Sequence, residues 1–292
     1  MSIGILGGGF GLYGYLAAAC ELEWRVHTLT KYKEILKSRT ELSSHLNSLT
    51  FHETENELLT SVDCIVCARD AQSQLNFIST NTSFNGHLFL EKPLAPNLQL
   101  HKLVLENFNR DKKNFSIGYL FQFTRWHQMV LSIFANDPNA SIKIEWKIRV
   151  QTTDWKQNIS KGGGLFNYYA IHFGSLLQSV ASSSKDVNVN VGQQHVVFVV
   201  KKSLRNILEI NISQSESDSF IVTDQSNPQN PAVVFDMETP FGIRSQIGKR
   251  DQRVDALQNY LIRISTQYSF REHVSLEEFI LDLREIHSSI KG

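Results

Sequence analysis

The chain has 292 residues, enough for two domains with separate apolar cores, and its charges balance at 29 Lys plus Arg against 29 Asp plus Glu. The basic residues are scattered, which argues against nucleic acid or an anionic membrane as partner. Met1-Ser2-Ile3-Gly4 carries no basic leader, no apolar run approaches the roughly 20 residues of a bilayer span, and Cys20, Cys64 and Cys67 form no disulfide framework, so a cytoplasmic protein without membrane contact is expected.

The first predicted strand, residues 2–6, runs into Gly7-Gly8-Gly9-Phe10-Gly11 and then a small, apolar, helix-compatible stretch to Cys20. Glycine removes the side chain where backbone amides must approach a pyrophosphate, and the helix that follows offers N–H groups and a favourable dipole. The Gly-x-Gly-x-x-Gly frame fits Gly7 and Gly9 but has Leu12 in third place, with Gly11 one residue early. Gly9, Gly11 and Gly14 match the spacing from a start two residues farther on. A tight strand-to-helix turn would share this composition; its place at the head of a βαβ series favours a dinucleotide cradle of Gly7, Gly9, Phe10 and Gly11.

A second strand at 25–29 ends in Thr28-Leu29-Thr30-Lys31, where an NAD site usually carries an acid for the ribose 2′-hydroxyl. Hydroxyls of Thr28 and Thr30 with the ammonium of Lys31 suit a 2′-phosphate, which tilts the expected cofactor to NADP over NAD; ordinary loop residues are the alternative. A short strand is expected at 49–52 and a fourth at 63–68. Cys64 and Cys67 lie three apart in the fourth, on opposite faces, and read as core rather than as a redox or metal pair. No other His or Cys spacing implies a metal. The fifth strand, 87–91, ends in Glu91-Lys92-Pro93 at the carboxyl edge, where open α/β sheets bind ligands, so Lys92 is placed to direct an ammonium at a ligand. The helix at 98–109 puts Leu100, Leu103, Val104 and Phe108 on one face, and a sixth strand follows at 115–119.

Beyond residue 120 the period changes. Ile142, Ile144, Trp146, Ile148 and Val150 alternate as in a strand buried on one face, and further strands are predicted at 187–191, 196–200, 207–212, 220–223 and 233–235. Two helices close the chain, the second opening on Ser275-Leu276-Glu277-Glu278, a capping-box pattern. Together these predict an α/β protein: a Rossmann-type doubly wound parallel sheet in residues 1–120, then an α+β domain with a mainly antiparallel sheet in 121–292.

The glycine cluster followed by Glu91-Lys92-Pro93 resembles the Gfo/Idh/MocA family of sugar and cyclitol oxidoreductases. Lys161-Gly162-Gly163-Gly164-Leu165-Phe166-Asn167-Tyr168-Tyr169-Ala170-Ile171-His172 is similar to that family's triple-glycine turn into a helix bearing Asp-x-x-x-His. The resemblance covers most of the chain as architecture and these three motifs at residue level. It implies that Glu91 and Lys92 meet the cofactor, that Lys92 also meets the substrate, and that His172 serves as acid/base on the reacting oxygen. The family's aspartate is Tyr168 here, and the acidic position three beyond the histidine is Ser175. Tyr168 either acts as a phenolic acid or marks a chain that has lost catalysis.

On a regular helix Phe166, Ala170, Phe173, Leu177 and Val180 form one apolar stripe, and Tyr168, His172 and Ser175 a second row about 200° away. Asn167, about 100° from Tyr168, is a poor substitute for the missing carboxylate. The resulting expectation is an NAD(P)-dependent oxidoreductase acting on a carbonyl or secondary alcohol of a sugar, nucleotide-linked sugar or cyclitol, with Lys92, His172 and Tyr168 as catalytic candidates. Self-association, common among proteins it resembles, is a further expectation. The alternative is a catalytically silent cofactor-binding protein of the same fold, with a regulatory or assembly role.

Overall fold

A computed structural model describes residues 1–137, 139–149, 158, 162–202, 205–227, 229, 231–243, 246 and 248–290. The chain forms two compact units, one of Met1–Ala95, Leu100–Leu120 and Ser245–Val274, the other of Pro96–Gln99, Phe121–Arg244 and Ser275–Gly292. A single cut at residue 120 is thereby corrected, because a late segment returns to the first unit. The helix Val254–Gln267 buries Val254, Leu257, Tyr260, Leu261 and Ile264 along one face. Its packing partner is the helix Ala17–Glu21, whose Ala17, Ala18 and Ala19 allow close approach.

The first unit is built on a six-stranded parallel sheet of β1 (Ser2–Leu6), β2 (Arg25–Leu29), β3 (Thr50–His52), β4 (Cys64–Cys67), β5 (His87–Leu90) and β6 (Phe115–Ile117), in the order β3-β2-β1-β4-β5-β6. The order reverses between β1 and β4, and the crevice at their carboxyl ends is the place where such sheets take ligands. Cys64 and Cys67 are both buried core residues of β4, and burial pushes each thiol up to about 12. The helix Leu98–Asp111 buries His101, Val104, Leu105 and Phe108. The expected face is thus rotated, and Leu103 is exposed.

The second unit carries a sheet of β7 (Ile142–Arg149), β8 (Val187–Val191), β9 (His195–Lys202), β10 (Arg205–Ser215), β11 (Ser219–Asp224) and β12 (Ala232–Met237), ordered β12-β11-β7-β10-β9-β8. All its pairings are antiparallel except β7 with β10. Ile142, Ile144, Trp146 and Ile148 are buried while Lys143, Glu145, Lys147 and Arg149 take the opposite face. Val150 lies outside the described residues.

The last helix is Phe270–Ile290, so Ser275 stands in its second turn and does not cap it. An identical pattern six residues earlier does the capping: the Glu272 amide donates to Ser269 Oγ at 3.4 Å, within Ser269-Phe270-Arg271-Glu272. The helix extends back through both Ser-x-x-Glu patterns because Phe270 provides an apolar anchor against Phe115.

Candidate functional site

At the carboxyl end of β1 the chain must reverse beside β4 in very little space. Gly7 has φ of +135°, and a Cβ there would fall 2.2 Å from the Ala68 carbonyl oxygen, so only glycine fits. Its amide donates to Tyr32 Oη at 3.1 Å. A Cβ on Gly11 would press on Ala68 and Leu6 at 3.3 Å, and one on Gly14 would strike the Phe10 ring. Gly9 differs: no heavy atom lies within 4 Å of where its Cβ would be. The amides of Gly8, Gly9, Phe10 and Gly11 donate to no acceptor among the described residues. Four consecutive amides without an acceptor at the carboxyl edge of a parallel sheet, with open space at Gly9, are a candidate anion cradle.

The helix that follows begins as a π-helical turn, Gly11–Leu16, and continues as Ala17–Glu21. The Phe10 ring leans on Tyr13 and Tyr15, so its contribution to the cradle is the backbone amide.

The corner at the end of β2 corrects one expectation. Thr28 is fully buried and its hydroxyl donates to the Ile5 carbonyl at 3.0 Å, which makes it a structural tie between β1 and β2 instead of a ligand contact. Thr30 Oγ1 donates to Glu53 Oε1 at 2.9 Å and to the His52 carbonyl at 3.2 Å. Lys31, 58% exposed, stands 4.0 Å from Glu55, which also pairs with Arg69. Glu53 and Glu55 arrive from beyond β3, a proximity no local spacing discloses.

Past β5, the Glu91-Lys92-Pro93 segment is fixed by Gln74, a fully buried residue of the helix Ala71–Thr80. The Glu91 amide donates to Gln74 Oε1 at 2.7 Å, while Gln74 Nε2 donates to the carbonyls of Glu91 at 2.8 Å and Leu94 at 3.3 Å. Asp70 caps that helix by accepting from the amides of Gln72 and Ser73. The Lys92–Pro93 peptide bond is cis. Lys92 is buried, and the Glu91 carboxylate turns to Tyr15, whose hydroxyl donates to it at 2.7 Å. Burial raises the Glu91 pKa, and the Lys92 charge and the Tyr15 hydroxyl oppose that rise. The Glu91 side chain is thus held by Tyr15, in the helical turn that follows β1. Gln74 and Tyr15, which do that holding, carry no motif.

In the second unit the glycine turn leads into a helix of three pitches: π-helical over Leu165–Tyr169, 3₁₀ over Ala170–Phe173 and α-helical over Gly174–Val180. Lys161 lies outside the described residues. Gly164 has φ of +92° and accepts from the Tyr168 amide at 2.9 Å. Phe166, Ala170, Phe173 and Leu177 are buried as the apolar stripe requires. The second row does not survive the change of pitch. Ser175 is buried and pairs with His127 Nε2 at 3.3 Å, whereas Tyr168 and His172 stay half-buried. The His172 ring stacks on Phe121, centroids 4.6 Å apart and planes at 20°. Tyr168 meets Tyr169 edge-on at 4.9 Å. A cavity of about 480 Å³ opens beside the glycine turn, lined by Gly163, Gly164, Phe166, Asn167, Gln214 and His287 among others.

Among the described residues no cluster of three or more His, Cys, Asp or Glu is arranged to hold a metal, and no helix is long and apolar enough to cross a membrane.

A parallel sheet with a glycine turn at its switch point, followed by a mixed sheet, is an architecture shared with solved structures. The chain is similar over 98% of its length to a myo-inositol dehydrogenase from Corynebacterium glutamicum, 94% of which is covered, at 14% identity and a TM-score of 0.70. It is similar to a putative myo-inositol dehydrogenase from Sinorhizobium meliloti at 12% identity and a TM-score of 0.71, with 98% and 95% of the two chains covered. The WlbA (WbpB) dehydrogenase from Thermus thermophilus, solved with NAD and UDP-GlcNAcA, matches at 12% identity and a TM-score of 0.67, with 97% and 94% covered. No protein-family model and no curated protein sequence matches the chain. The shared property is the fold.

Proposed function

We propose that this protein is an oxidoreductase of the Gfo/Idh/MocA type that uses a nicotinamide dinucleotide to interconvert a carbonyl and a secondary alcohol on a sugar, nucleotide-linked sugar or cyclitol. The observation that carries the reading is the run of four amides without acceptors at Gly8–Gly11, beside the open space at Gly9. Those donors fit a diphosphate, and the structures of like fold include a myo-inositol dehydrogenase and a dehydrogenase solved with NAD and UDP-GlcNAcA.

A nicotinamide dinucleotide, when bound, would supply or accept a hydride. This chain's residues hold it and manage the oxygen. The Lys92 ammonium stabilises charge on the substrate oxygen, and His172 or Tyr168 donates the proton in reduction and takes it back in oxidation. Stacking on Phe121 fixes the plane of the His172 ring in place of the absent aspartate. NADP is the preferred cofactor in this proposal through Lys31, a preference kept modest by Glu53 and Glu55. Self-association completes the proposal.

Calorimetric titration with NADH and NADPH tests the reading, followed by a screen of sugars and cyclitols for reduction of NAD(P). Binding of neither cofactor overturns it. Tight binding without turnover favours the silent, regulatory alternative, to which the replacement of aspartate by Tyr168 and the burial of Ser175 also point.

A further inference from the structure

From residue 7 to residue 16 the chain has no cationic side chain, so the cradle offers amides but no full charge of its own. A charged side chain from the late segment of the same unit packs on the aromatic residues of this turn. The Arg253 guanidinium carbon lies 4.0 Å from the centroid of the Phe10 ring and 5.6 Å from that of Tyr13. Arg253 Nε and Nη2 donate to the two oxygens of Asp251, at 2.9 and 2.8 Å. The Arg253 amide also donates to Asp251 Oδ1 at 2.8 Å, so main chain and side chain are tied to one carboxylate that is itself 3% exposed. Val254, next in the chain, is fully buried and anchors the helix behind it.

This arrangement is more specific than a surface ion pair. An arginine stacked on a ring, gripped along one edge by Asp251 and also hydrogen-bonded to Tyr13 has little freedom left to lose on binding, and its planar fork presents the N–H groups left over in a fixed direction. About a quarter of the Arg253 side chain stays exposed, and it stacks on the ring of Phe10, whose amide is one of the four in the turn. Lysine would give neither the stacking nor the fork.

We propose that Arg253 is a cofactor-positioning residue that closes on the diphosphate held by the Gly8–Gly11 amides, supplying the cation the glycine turn lacks. The inference rests on the nicotinamide-dinucleotide reading. It assigns to the segment beyond residue 245 a direct part in cofactor binding, beyond its packing role.

The probes are NADH, ADP-ribose, which keeps the diphosphate without nicotinamide, and adenosine, which has neither. The variant is Arg253→Gln with Asp251→Asn, so that no buried carboxylate is left alone; Arg253→Gln by itself, whose amide still reaches Asp251, serves if the double variant does not fold. Loss of a charge-assisted contact predicts binding of NADH and ADP-ribose weakened by at least about tenfold, with adenosine unchanged and a shallower dependence of affinity on salt. A folded variant that binds NADH and ADP-ribose as the unmodified protein does overturns the role of Arg253 while leaving the cofactor reading intact. If the unmodified protein binds neither, the reading itself falls, and this inference with it.

Discussion

The cradle of the first unit and the His172 helix of the second are held by different forces. Around Gly7 and Glu91 the backbone amides are pinned by the buried side chains of Tyr32 and Gln74, and the Glu91 carboxylate by Tyr15. His172 sits on a helix whose pitch changes twice within sixteen residues, and its ring stacks on the face of Phe121. A polar network fixes atoms individually and fails at single substitutions. Ring packing fixes a plane and tolerates small changes around it, so equal chemical roles should respond unequally to mutation.

The sharpest contrast lies inside the cradle. Gly9→Val should weaken dinucleotide binding at least about a hundredfold, because the side chain enters the space the amides face, with an unchanged melting temperature. Gly7→Ala should act through stability instead, costing at least about 1–3 kcal/mol for its positive φ and its clash with the Ala68 carbonyl. Thermal melts paired with calorimetry separate the two. A destabilised but fully binding Gly9→Val would break the assignment of that open space to a ligand.

Next in size are the catalytic candidates. Lys92→Met keeps the aliphatic volume at a buried site and deletes the charge, so turnover should fall at least about a hundredfold with little change in melting temperature. His172→Asn should cost more than Tyr168→Phe, because it removes both the titrating ring and its stacking on Phe121. Single-turnover rates on a substrate found by screening decide the order. Unmodified rates in all three variants would refute the roles given to them.

The two motifs also differed in how legible they were. Sequence alone located the glycine turn, the Lys92 corner and the triple glycine, because each is a short run whose backbone demands are local. The boundaries of β1 and β2 followed from the same locality. Thr28 was misread because a strand-end threonine looks alike whether it faces ligand or its neighbour strand; the tie to Ile5 is set by pairing 23 residues away. Glu53 beside Thr30, Asp251 beside Arg253 and Tyr15 beside Glu91 are likewise products of topology. The row of Tyr168, His172 and Ser175 failed for another reason: a fixed 3.6-residue period was projected through a helix that is π-helical and then 3₁₀ before becoming α.

Acid should act on the two units unequally. Burial lowers His87 to about 3 and His273 to about 4 in the first unit, and His127 to about 4 in the second. Each stays neutral when folded but takes up a proton near 6.5 when unfolded. The stability they contribute is therefore present above pH 6.5 and is lost as pH falls toward their folded values. Each pH unit below 6.5 withdraws about 1.4 kcal/mol per buried imidazole until the folded pKa is reached. Hydrogen exchange should show the first unit losing more protection than the second between pH 6.5 and 4.5, and His87→Gln should flatten its decline. Equal losses in both units would mean that other groups dominate.

The smallest effect is expected at the ribose corner. Lys31 is more than half exposed and faces Glu55 at 4.0 Å, and Glu55 is shared with Arg69, so any 2′-phosphate there meets one mobile cation in a nearly neutral setting. Exposed charge pairs contribute about 1 kcal/mol or less, which corresponds to an NADPH preference of about fivefold or less. Lys31→Glu should remove or reverse it, and Glu55→Gln should enlarge it by leaving Lys31 and Arg69 uncompensated. The preference should shrink as ionic strength rises, since the charges are screened by solvent. Dissociation constants for NADH and NADPH, measured at low and high salt for the unmodified protein and both variants, decide the matter. Constants that are equal for the two cofactors and indifferent to both substitutions would show that this corner does not read the 2′ position.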